Sequence, residues 1–304
     1  MGCTSPLDGW LSREKTKLGK RAVVFVGREG FLDRPVQVPC GRCIGCRIEH
    51  SRQWAMRCLH EASLYDENCF VTLTYDDDNE PDGGSLRKTD LSAWLKRLRA
   101  RIEPKKFRFY GSGEYGDNTL RPHYHCCLFG FDFGDKRKFS DRKGYEVFSS
   151  DLLEETWGKG LTELGSVTFD SAAYVASYVI KKFKGNAEEL KQYYGDLEPE
   201  FALMSRGGRG KDNLGGLGKR WWKENAEDMR KHDSIIINGR EVRPPKYYDR
   251  LYEAVDPIGL KCKKVKRMLA KKSFEEKDGR GDSRYLAEQD IMESKRQILG
   301  GNTL

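Results

Sequence analysis

The 304 residues contain no apolar run that approaches the ~20 residues of a membrane-spanning helix, so an integral membrane protein is excluded. The N-terminus has no apolar signal core, and Pro6 stands where an N-myristoylation site needs Ser or Thr. A nucleotide-binding P-loop is also missing. The nine cysteines are an odd number in a chain without a signal peptide, which argues against a secreted disulfide scaffold. We therefore expect a reducing cytoplasm.

The charge balance is basic, with 55 Lys and Arg against 47 Asp and Glu, for a formal net charge of +8. This surplus suits a polyanionic partner without proving one. The composition of the sequence changes near residue 185: apolar runs that alternate with turns precede it, and Gly-rich and charge-rich stretches follow it. We predict three regions: an N-terminal arm and helix over 1–66, a core over 67–185, and a basic C-terminal region over 186–304.

The pattern of apolar residues predicts an α+β fold. Helical spacing predicts a helix over 44–65, and β-branched and aromatic residues predict a strand over 70–75. The remaining elements are a helix after Thr89 or Asp90, strands at 107–110 and 123–129, a polar insertion over 132–150, a helix at 152–157, a strand at 164–169 and a helix over 171–184. This order predicts a ferredoxin-like or RRM-like antiparallel sheet with helices on one face.

Two histidines alternate on the second arm of a predicted hairpin. His123 and His125 project to the same face because residues two apart in a strand share a side. Glu114, across the hairpin, could add a carboxylate oxygen, which would give one divalent cation two nitrogens and an oxygen with positions left open for phosphate oxygens. The alternative is two partly exposed histidines that alternate by chance, although the chain has only five histidines.

The predicted helix that follows carries paired tyrosines. Tyr174 and Tyr178 stand four residues apart, and Lys181 falls on the same stripe because seven residues make nearly two turns. Two such tyrosines usually reflect amphipathic packing. A tyrosine hydroxyl can instead attack phosphorus when the developing charge is neutralised, and two of them near one metal would allow two successive transesterifications.

These motifs together resemble the HUH endonucleases, which initiate rolling-circle replication. The resemblance rests on residues 70–75, Gly113-Glu114-Tyr115-Gly116, residues 121–125 and the Tyr174-x-x-x-Tyr178 pair. The paired tyrosines, with Pro39–Cys43 and Ser51–Trp54 upstream, are similar to the replication initiation proteins of microviruses, and the gokushovirus branch is the nearest. Between Pro39 and Lys182 the order, spacing and chemistry all agree with that family.

The resemblance implies a role for each matching residue. Glu114, His123 and His125 would hold one Mg²⁺ or Mn²⁺ ion, and Tyr174 and Tyr178 would alternate as nucleophiles. One would nick the origin, leaving a 5′-phosphotyrosine and a free 3′-OH, and the other would cleave again so that the displaced circle closes. Lys181 or Lys182 would stabilise charge. The implied partners are single-stranded and supercoiled circular viral DNA with a host helicase and DNA polymerase, in the cytoplasm of a bacterial host.

The thiols near the N-terminus form the cluster Cys40-x-x-Cys43-x-x-Cys46. Zinc bound by these three cysteines and either His50 or Cys58 is chemically reasonable. A row of buried free thiols remains an equal alternative. An iron–sulfur run of the ferredoxin type is less favoured, because it would need cysteine where this chain has His50.

The basic second half offers candidate DNA contacts. A Gly-rich loop and the residues after it, together with a stretch that has seven Lys or Arg in its twelve positions from 261 to 272, could follow a phosphate backbone while a tryptophan stacks on a base. The candidates are Arg206, Arg209, Lys211, Lys219, Arg220, Trp221, Lys263, Lys264, Lys266 and Arg267. The alternatives are a connecting loop, a core tryptophan and a solvated charged helix face.

Two other functions compete with the endonuclease. A non-catalytic single-stranded nucleic-acid-binding protein could use an RRM-like sheet, with the strand histidines stacking on bases. It would have no need for the tyrosine stripe beside Glu114. An HUH relaxase or transposase of a mobile element would share the chemistry, but the flanking motifs favour the microvirus branch.

Overall fold

The computed structural model describes residues 3–16, 19–116, 119–142, 144–181, 187–207, 214–278, 287 and 290–291. The chain divides into two compact units. One comprises residues 1–49 with 270–303, and the other comprises His50–Leu269. Within the described residues no helix is both long enough and apolar enough to cross a membrane.

The first unit contains a small antiparallel sheet. Its strands are β1 (Leu7–Lys15), β2 (Arg21–Val24) and β3 (Gly30–Val38), in the order β2-β1-β3. Helix α1 (Ile44–Ala62) begins in this unit and continues into the second. Among the described residues before 50, Ile44 is the only buried apolar side chain, so the sheet has almost no apolar core of its own.

The second unit is built on a seven-stranded sheet in which every pair is antiparallel. The strands are β4 (Asn68–Thr74), β5 (Arg108–Tyr115), β6 (Pro122–Phe129), β7 (Arg137–Arg142), β8 (Tyr145–Ser149), β9 (Thr162–Gly165) and β10 (Phe201–Met204). Their spatial order is β10-β5-β6-β4-β9-β8-β7. The predicted α+β class with an antiparallel sheet is confirmed.

Helices cover both faces of this sheet, which corrects the expectation of one covered face. Helices α2 (Lys88–Arg101) and α3 (Asp151–Trp157) pack on the side that carries Tyr124, Cys126 and Leu128. Helices α1 and α4 (Phe169–Lys181) pack on the side that carries Cys127 and Phe129. The physical reason is the composition of β6: its run of apolar residues leaves neither face suited to water.

The chain after α4 returns to the sheet and then forms a third apolar cluster. Helix α5 (Ala187–Tyr194) precedes β10, which pairs with β5 at the sheet edge. The later elements are α6 (Lys219–His232), β11 (Ile235–Ile237), β12 (Arg240–Val242), α7 (Lys246–Val255) and α8 (Pro257–Asp278). Trp222, Tyr248 and Leu260 lie in this cluster with Met56 of α1. The three-region division predicted from the sequence stays a prediction.

The predicted polar insertion over 132–150 contains structure that its sequence did not reveal. Strands β7 and β8 form a hairpin there, and β7 is the outermost strand of the sheet. Most residues of β7 are exposed, so its sequence has no apolar alternation to signal a strand. The strand predicted over 164–169 ends at Gly165, because Thr168 already caps α4 through reciprocal hydrogen bonds with Ser171.

Candidate active site

The two alternating histidines lie side by side on β6, between two polar strands. On one side β5 places Ser112 opposite His125 and Glu114 opposite His123. On the other side β4 places two threonines opposite the same histidines. The imidazole rings are 6.5 Å apart between centroids. The predicted same-face projection of the pair therefore agrees with the strand register.

Threonine hydroxyls hold one nitrogen of each ring. The Nδ1 atom of His125 is 3.1 Å from Thr72 Oγ1, and Nδ1 of His123 is 2.9 Å from Thr74 Oγ1. Because Nδ1 is engaged in both rings, Nε2 is the nitrogen left to serve as a ligand or to meet a carboxylate.

The third predicted member lies within contact distance of His125. Glu114 Oε1 is 2.7 Å from His125 Nε2, and Glu114 and His125 are both buried. A buried carboxylate beside an imidazole is stabilised by a cation or by a protonated ring. The structure thus pairs Glu114 with His125, while His123 lies opposite Glu114 in the strand register, and the shared metal stays a prediction.

Burial favours the neutral form of the first histidine. Burial, together with the positive charges of His125 and Arg121, lowers the pKa of His123 to about 4. An imidazole must be unprotonated to ligate a metal, so His123 is in a ligand-competent form at neutral pH.

The donor set fits a divalent cation. Two imidazole nitrogens and one carboxylate oxygen form a mixed ligand set that Mg²⁺, Mn²⁺ or Zn²⁺ accepts. The engaged Nδ1 atoms match the usual pattern in metal sites, where the second ring nitrogen is held by a partner.

Helix α4 brings a tyrosine against this histidine pair. The rings of Tyr174 and His125 meet edge to face, with 5.0 Å between their centroids. Ser51 on α1 donates a hydrogen bond to the Ala173 carbonyl over 2.7 Å, which ties α4 down one residue before Tyr174. Val175 and Ala176 pack into the buried cluster beneath the helix. The predicted tyrosine Tyr174 therefore lies against one of the predicted metal ligands, His125.

The other predicted catalytic residues are only partly described. Tyr178 and Lys181 belong to α4 by their backbone, and their side chains lie outside what the structure describes. Lys182 lies outside the described residues, as do Arg209 and Lys211 of the Gly-rich loop.

The cysteine cluster has a fourth member that the sequence prediction missed. One sulfur each from Cys3, Cys40, Cys43 and Cys46 lies within 4.8 Å of the others. This group does not include His50, and Cys58 is fully buried in the apolar cluster that contains Ala55 and Ala176. Cys3 escaped notice because it stands 37 residues before Cys40, outside any compact motif.

Some of the predicted DNA-contacting side chains are exposed, and others already make contacts within the protein. Arg206, Lys264 and Lys266 are exposed, whereas Lys219 and Lys263 are half-buried. Arg220 contacts Glu224 and the Leu64 carbonyl. Trp221 stacks on His60 with 3.5 Å between ring centroids, so one of its faces is already covered.

Arg267 forms ion pairs with two aspartates. Its guanidinium forms paired hydrogen bonds with both Asp233 and Asp249, at 2.5 to 3.0 Å, and its side chain is only 13% exposed. Hydrogen bonding to Asp233, followed by the bonds to Asp249, raises its pKa further. Four of its five N–H donors are engaged with these carboxylates, which disfavours a phosphate contact, and the DNA contact at Arg267 stays a prediction.

Comparison with known proteins identifies the family to which this chain belongs. The family model for replication-associated protein ORF2/G2P matches residues 68–183. Replication-associated protein VP4 of Bdellovibrio phage phiMH2K is 30% identical over 77% of this chain and 76% of its own length. The chain belongs to the family of microvirus replication-associated proteins.

Two further members of this replication-associated family are similar. Replication-associated protein ORF2 of Spiroplasma virus 4 is 34% identical over 71% of this chain and 68% of its own length. Replication-associated protein ORF4 of Chlamydia phage 1 is 28% identical over 70% of this chain and 53% of its own length. No solved structure matches the chain. The resemblance to microvirus initiators drawn from the sequence is thereby confirmed.

Proposed function

We propose that this protein initiates rolling-circle replication of a circular single-stranded DNA phage genome by nicking the origin with a tyrosine. The observation that carries the proposal is the contact between Tyr174 and His125, with 5.0 Å between ring centroids, next to the buried Glu114. A protein that only binds nucleic acid needs no phenol beside a set of metal ligands. The names of its relatives, which are replication-associated proteins of phages, support the same role.

Glu114, His123 and His125 would hold one Mg²⁺ or Mn²⁺ ion. When bound, this cation polarises the scissile phosphate and neutralises charge that develops on its oxygens. The threonine hydroxyls at Nδ1 keep the rings turned toward that position. Burial keeps His123 unprotonated, since its pKa is lowered to about 4.

Tyr174 would be one nucleophile. Its Oη forms a bond to phosphorus while the bond from phosphorus to O3′ breaks, and the released 3′ oxygen takes up a proton as the phenol loses one. The 5′ end stays covalently attached to the tyrosine. Because a phosphotyrosine diester replaces a phosphodiester, the energy of the broken bond is retained and no ATP is consumed.

Tyr178 would be the second nucleophile, one helical turn further along α4. After a round of synthesis its Oη takes the 5′ phosphate at the regenerated origin and releases a new 3′-OH, which attacks the phosphotyrosine at Tyr174, frees that phenol and closes the displaced circle. Lys181 or Lys182 would stabilise the negative charge at the phosphate. The partners would be single-stranded and supercoiled viral DNA with the host helicase and polymerase, in the cytoplasm of the bacterial host.

The test is a covalent-adduct assay with wild-type protein and the Tyr174→Phe, Tyr178→Phe and double variants. Labelled single-stranded fragments that span the phage genome are incubated with Mn²⁺ or EDTA and run on a denaturing gel. We expect a Mn²⁺-dependent protein–DNA band that only the double variant loses. Tyr193→Phe, at an exposed tyrosine of α5, is the control and should retain the band.

Other outcomes separate the competing functions. If one single variant abolishes the band, the alternating mechanism fails and the other tyrosine is structural. If no fragment yields an adduct with any divalent metal, the endonuclease proposal is wrong and the protein is a non-catalytic binder of nucleic acid.

A further inference from the structure

Four cysteine sulfurs converge in the first unit of the protein. Cys3 Sγ lies 3.6 Å from Cys40 Sγ and 3.7 Å from Cys43 Sγ, and Cys46 Sγ completes a group that spans no more than 4.8 Å. All four thiols are free and half-buried. We propose that these four thiolates bind one structural Zn²⁺ ion that stabilises the N-terminal sheet.

The distances between the sulfurs fit a single tetrahedral ion. With Zn–S bonds of about 2.3 Å, the edge of an S₄ tetrahedron is about 3.8 Å. The observed separations of 3.6 and 3.7 Å are close to that edge. A disulfide would need sulfurs about 2.05 Å apart. An iron–sulfur cubane would spread them further than one ion does, because each sulfur binds a different iron atom.

The antiparallel pairing of β1 with β3 brings the four cysteines together at one end of this strand pair. Leu7 of β1 pairs with Val38 of β3, so the segments that contain Cys3 and Cys40 both leave the same end of this pair. Gly41 adopts φ +74°, a left-handed conformation that lets the chain turn between Cys40 and Cys43. Cys46 then lies in the first turn of α1.

Backbone amides point at these sulfurs. The Cys40 N–H donates to Cys3 Sγ over 3.3 Å, the Cys43 N–H donates to Cys40 Sγ over 3.3 Å, and the Thr4 N–H donates to Cys43 Sγ over 3.4 Å. Such donors stabilise thiolate ligands, because each offsets part of the negative charge that four sulfurs concentrate around one dication. Zinc binding releases the thiol protons to solvent.

The N-terminal sheet buries little apolar surface, so a bound ion would contribute much of its stability. Ile44 is the only buried apolar side chain among the described residues before 50, and Phe25 and Leu32 of the same unit are 55% and 64% exposed. The described residues before 50 bury too little apolar surface to offset the conformational entropy that is lost when this part of the chain becomes ordered. Zinc contributes its binding free energy directly to folding, which is the usual solution in small units.

The first experiment measures metal in full-length protein purified without chelators. Elemental analysis should find one equivalent of zinc per chain. Replacing it with Co²⁺ should give the visible bands of a tetrahedral thiolate site. Cys3→Ser should lower zinc affinity at least tenfold, whereas Cys262→Ser, at an exposed cysteine outside the group, should retain the full equivalent.

A second control separates this ion from the metal at the histidines. The double variant His123→Ala/His125→Ala should keep its zinc, because none of the four thiols belongs to that site. The proposal is overturned if wild-type protein contains no zinc and takes up no Co²⁺, if iron occupies the site, or if Cys3→Ser binds zinc as tightly as wild type.

A further experiment uses only the wild-type protein, so its result does not depend on whether a cysteine variant folds. Chelation of zinc from the wild-type protein should speed tryptic cleavage after Arg28 and Arg42 at least tenfold, as followed by mass spectrometry, because the sheet beside them loses its stabilising ion. Cleavage at an unchanged rate after complete zinc removal would contradict a structural role.

Discussion

At the scale of single residues, the two histidines are oriented by threonines from the neighbouring strand. Thr72 and Thr74 each bond the Nδ1 atom of the histidine opposite them in the register. The sequence contained this signal, since both threonines alternate within one strand that was predicted correctly. The contact of each threonine with a histidine could be predicted only from the pairing of β4 with β6, and no local sequence pattern gives that pairing.

Replacing Thr74 by valine removes that hydroxyl while keeping the shape of the side chain. We expect Thr74→Val to weaken Mn²⁺ binding roughly 10- to 100-fold, because the His123 ring loses the partner that orients it. Titration calorimetry on the protein without DNA measures this. Thr74→Ser should restore most of the affinity, and Thr162→Val, which removes a buried hydroxyl that bonds nothing described, is the matched control. Equal affinities in Thr74→Val and Thr162→Val would contradict the assignment.

His60, which lies outside the candidate site, should make the free energy of unfolding depend on pH. His60 is buried and stacks on Trp221, and its Nδ1 atom is 2.8 Å from the Tyr248 hydroxyl. Burial lowers its pKa to about 3 from an ordinary 6.5. As the pH is lowered, the unfolded chain therefore takes up a proton at this residue before the folded protein does. The free energy of unfolding decreases as the pH falls from the ordinary pKa to the lowered one.

We expect wild-type protein to lose at most about 1.4 kcal/mol of unfolding free energy per pH unit through His60, from pH 6.5 down to about 3. His60→Gln should remove this component, so the two urea-denaturation curves converge as the pH falls. His232→Gln, at an exposed histidine, is the control. Parallel pH profiles for wild type and His60→Gln would show that His60 does not titrate on unfolding.

At the scale of secondary structure elements, α8 carries basic residues with two different roles. Lys264 and Lys266 are exposed, whereas Arg267 binds Asp233 and Asp249 and joins α8 to α7 and the end of α6. The charge-rich sequence predicted a DNA-contacting face and could not tell these residues apart, because the acidic partners of Arg267 lie 34 and 18 residues away.

Paired substitutions separate the two roles. We expect Lys264→Ala/Lys266→Ala to reduce the salt slope of single-stranded DNA binding by about 1.4, which corresponds to about 0.7 for each phosphate that is no longer neutralised. The Arg267→Ala variant should keep the slope and lose roughly 2–3 kcal/mol of stability, because two carboxylates are left without their partner. Fluorescence anisotropy across a salt series measures the slope. A change of slope only in Arg267→Ala would reverse these assignments.

Local periodicity predicted the buried elements well. Strands β4 and β6 and helices α1 and α2 are confirmed close to their predicted positions, because their apolar residues alternate or recur as packing requires. The β7–β8 hairpin was missed because its strands are mostly exposed. The second helical layer was missed although the nearly continuous apolar run of β6 indicates a strand that is covered on both faces.

At the scale of the second unit, a buried ion pair joins the sheet, α1 and a later loop. Glu61 and Arg108 meet at 2.8 Å, and both are nearly inaccessible to solvent. Arg108 also donates to the Gly215 carbonyl, and Glu61 accepts from the Gly218 N–H at 2.7 Å. Residues 157 positions apart in the chain thus share one polar network.

Breaking this pair should be costly. We expect Glu61→Ala to lower the unfolding free energy by about 3–5 kcal/mol, because it leaves the Arg108 guanidinium buried without its counter-charge. The exposed pair of Glu67 and Lys105 is the matched control, and Glu67→Ala should cost less than about 1 kcal/mol. Urea denaturation measures both, and similar values for the two variants would contradict the structural role of the Glu61–Arg108 pair.

Strand β10 has a consequence for how phage genomes can exchange this gene. It pairs with β5 from outside the segment matched by the family model, and Phe201 of β10 packs where a side chain on Gly113 of β5 would sit, 2.6 Å from its ring. A recombination crossover between the codons for α4 and β10 would join one parent's β5 to the other parent's β10. A hybrid would keep the strand beside Glu114 intact only where both parents carry compatible residues at positions 113 and 201, so we expect selection to act on these two distant codons together.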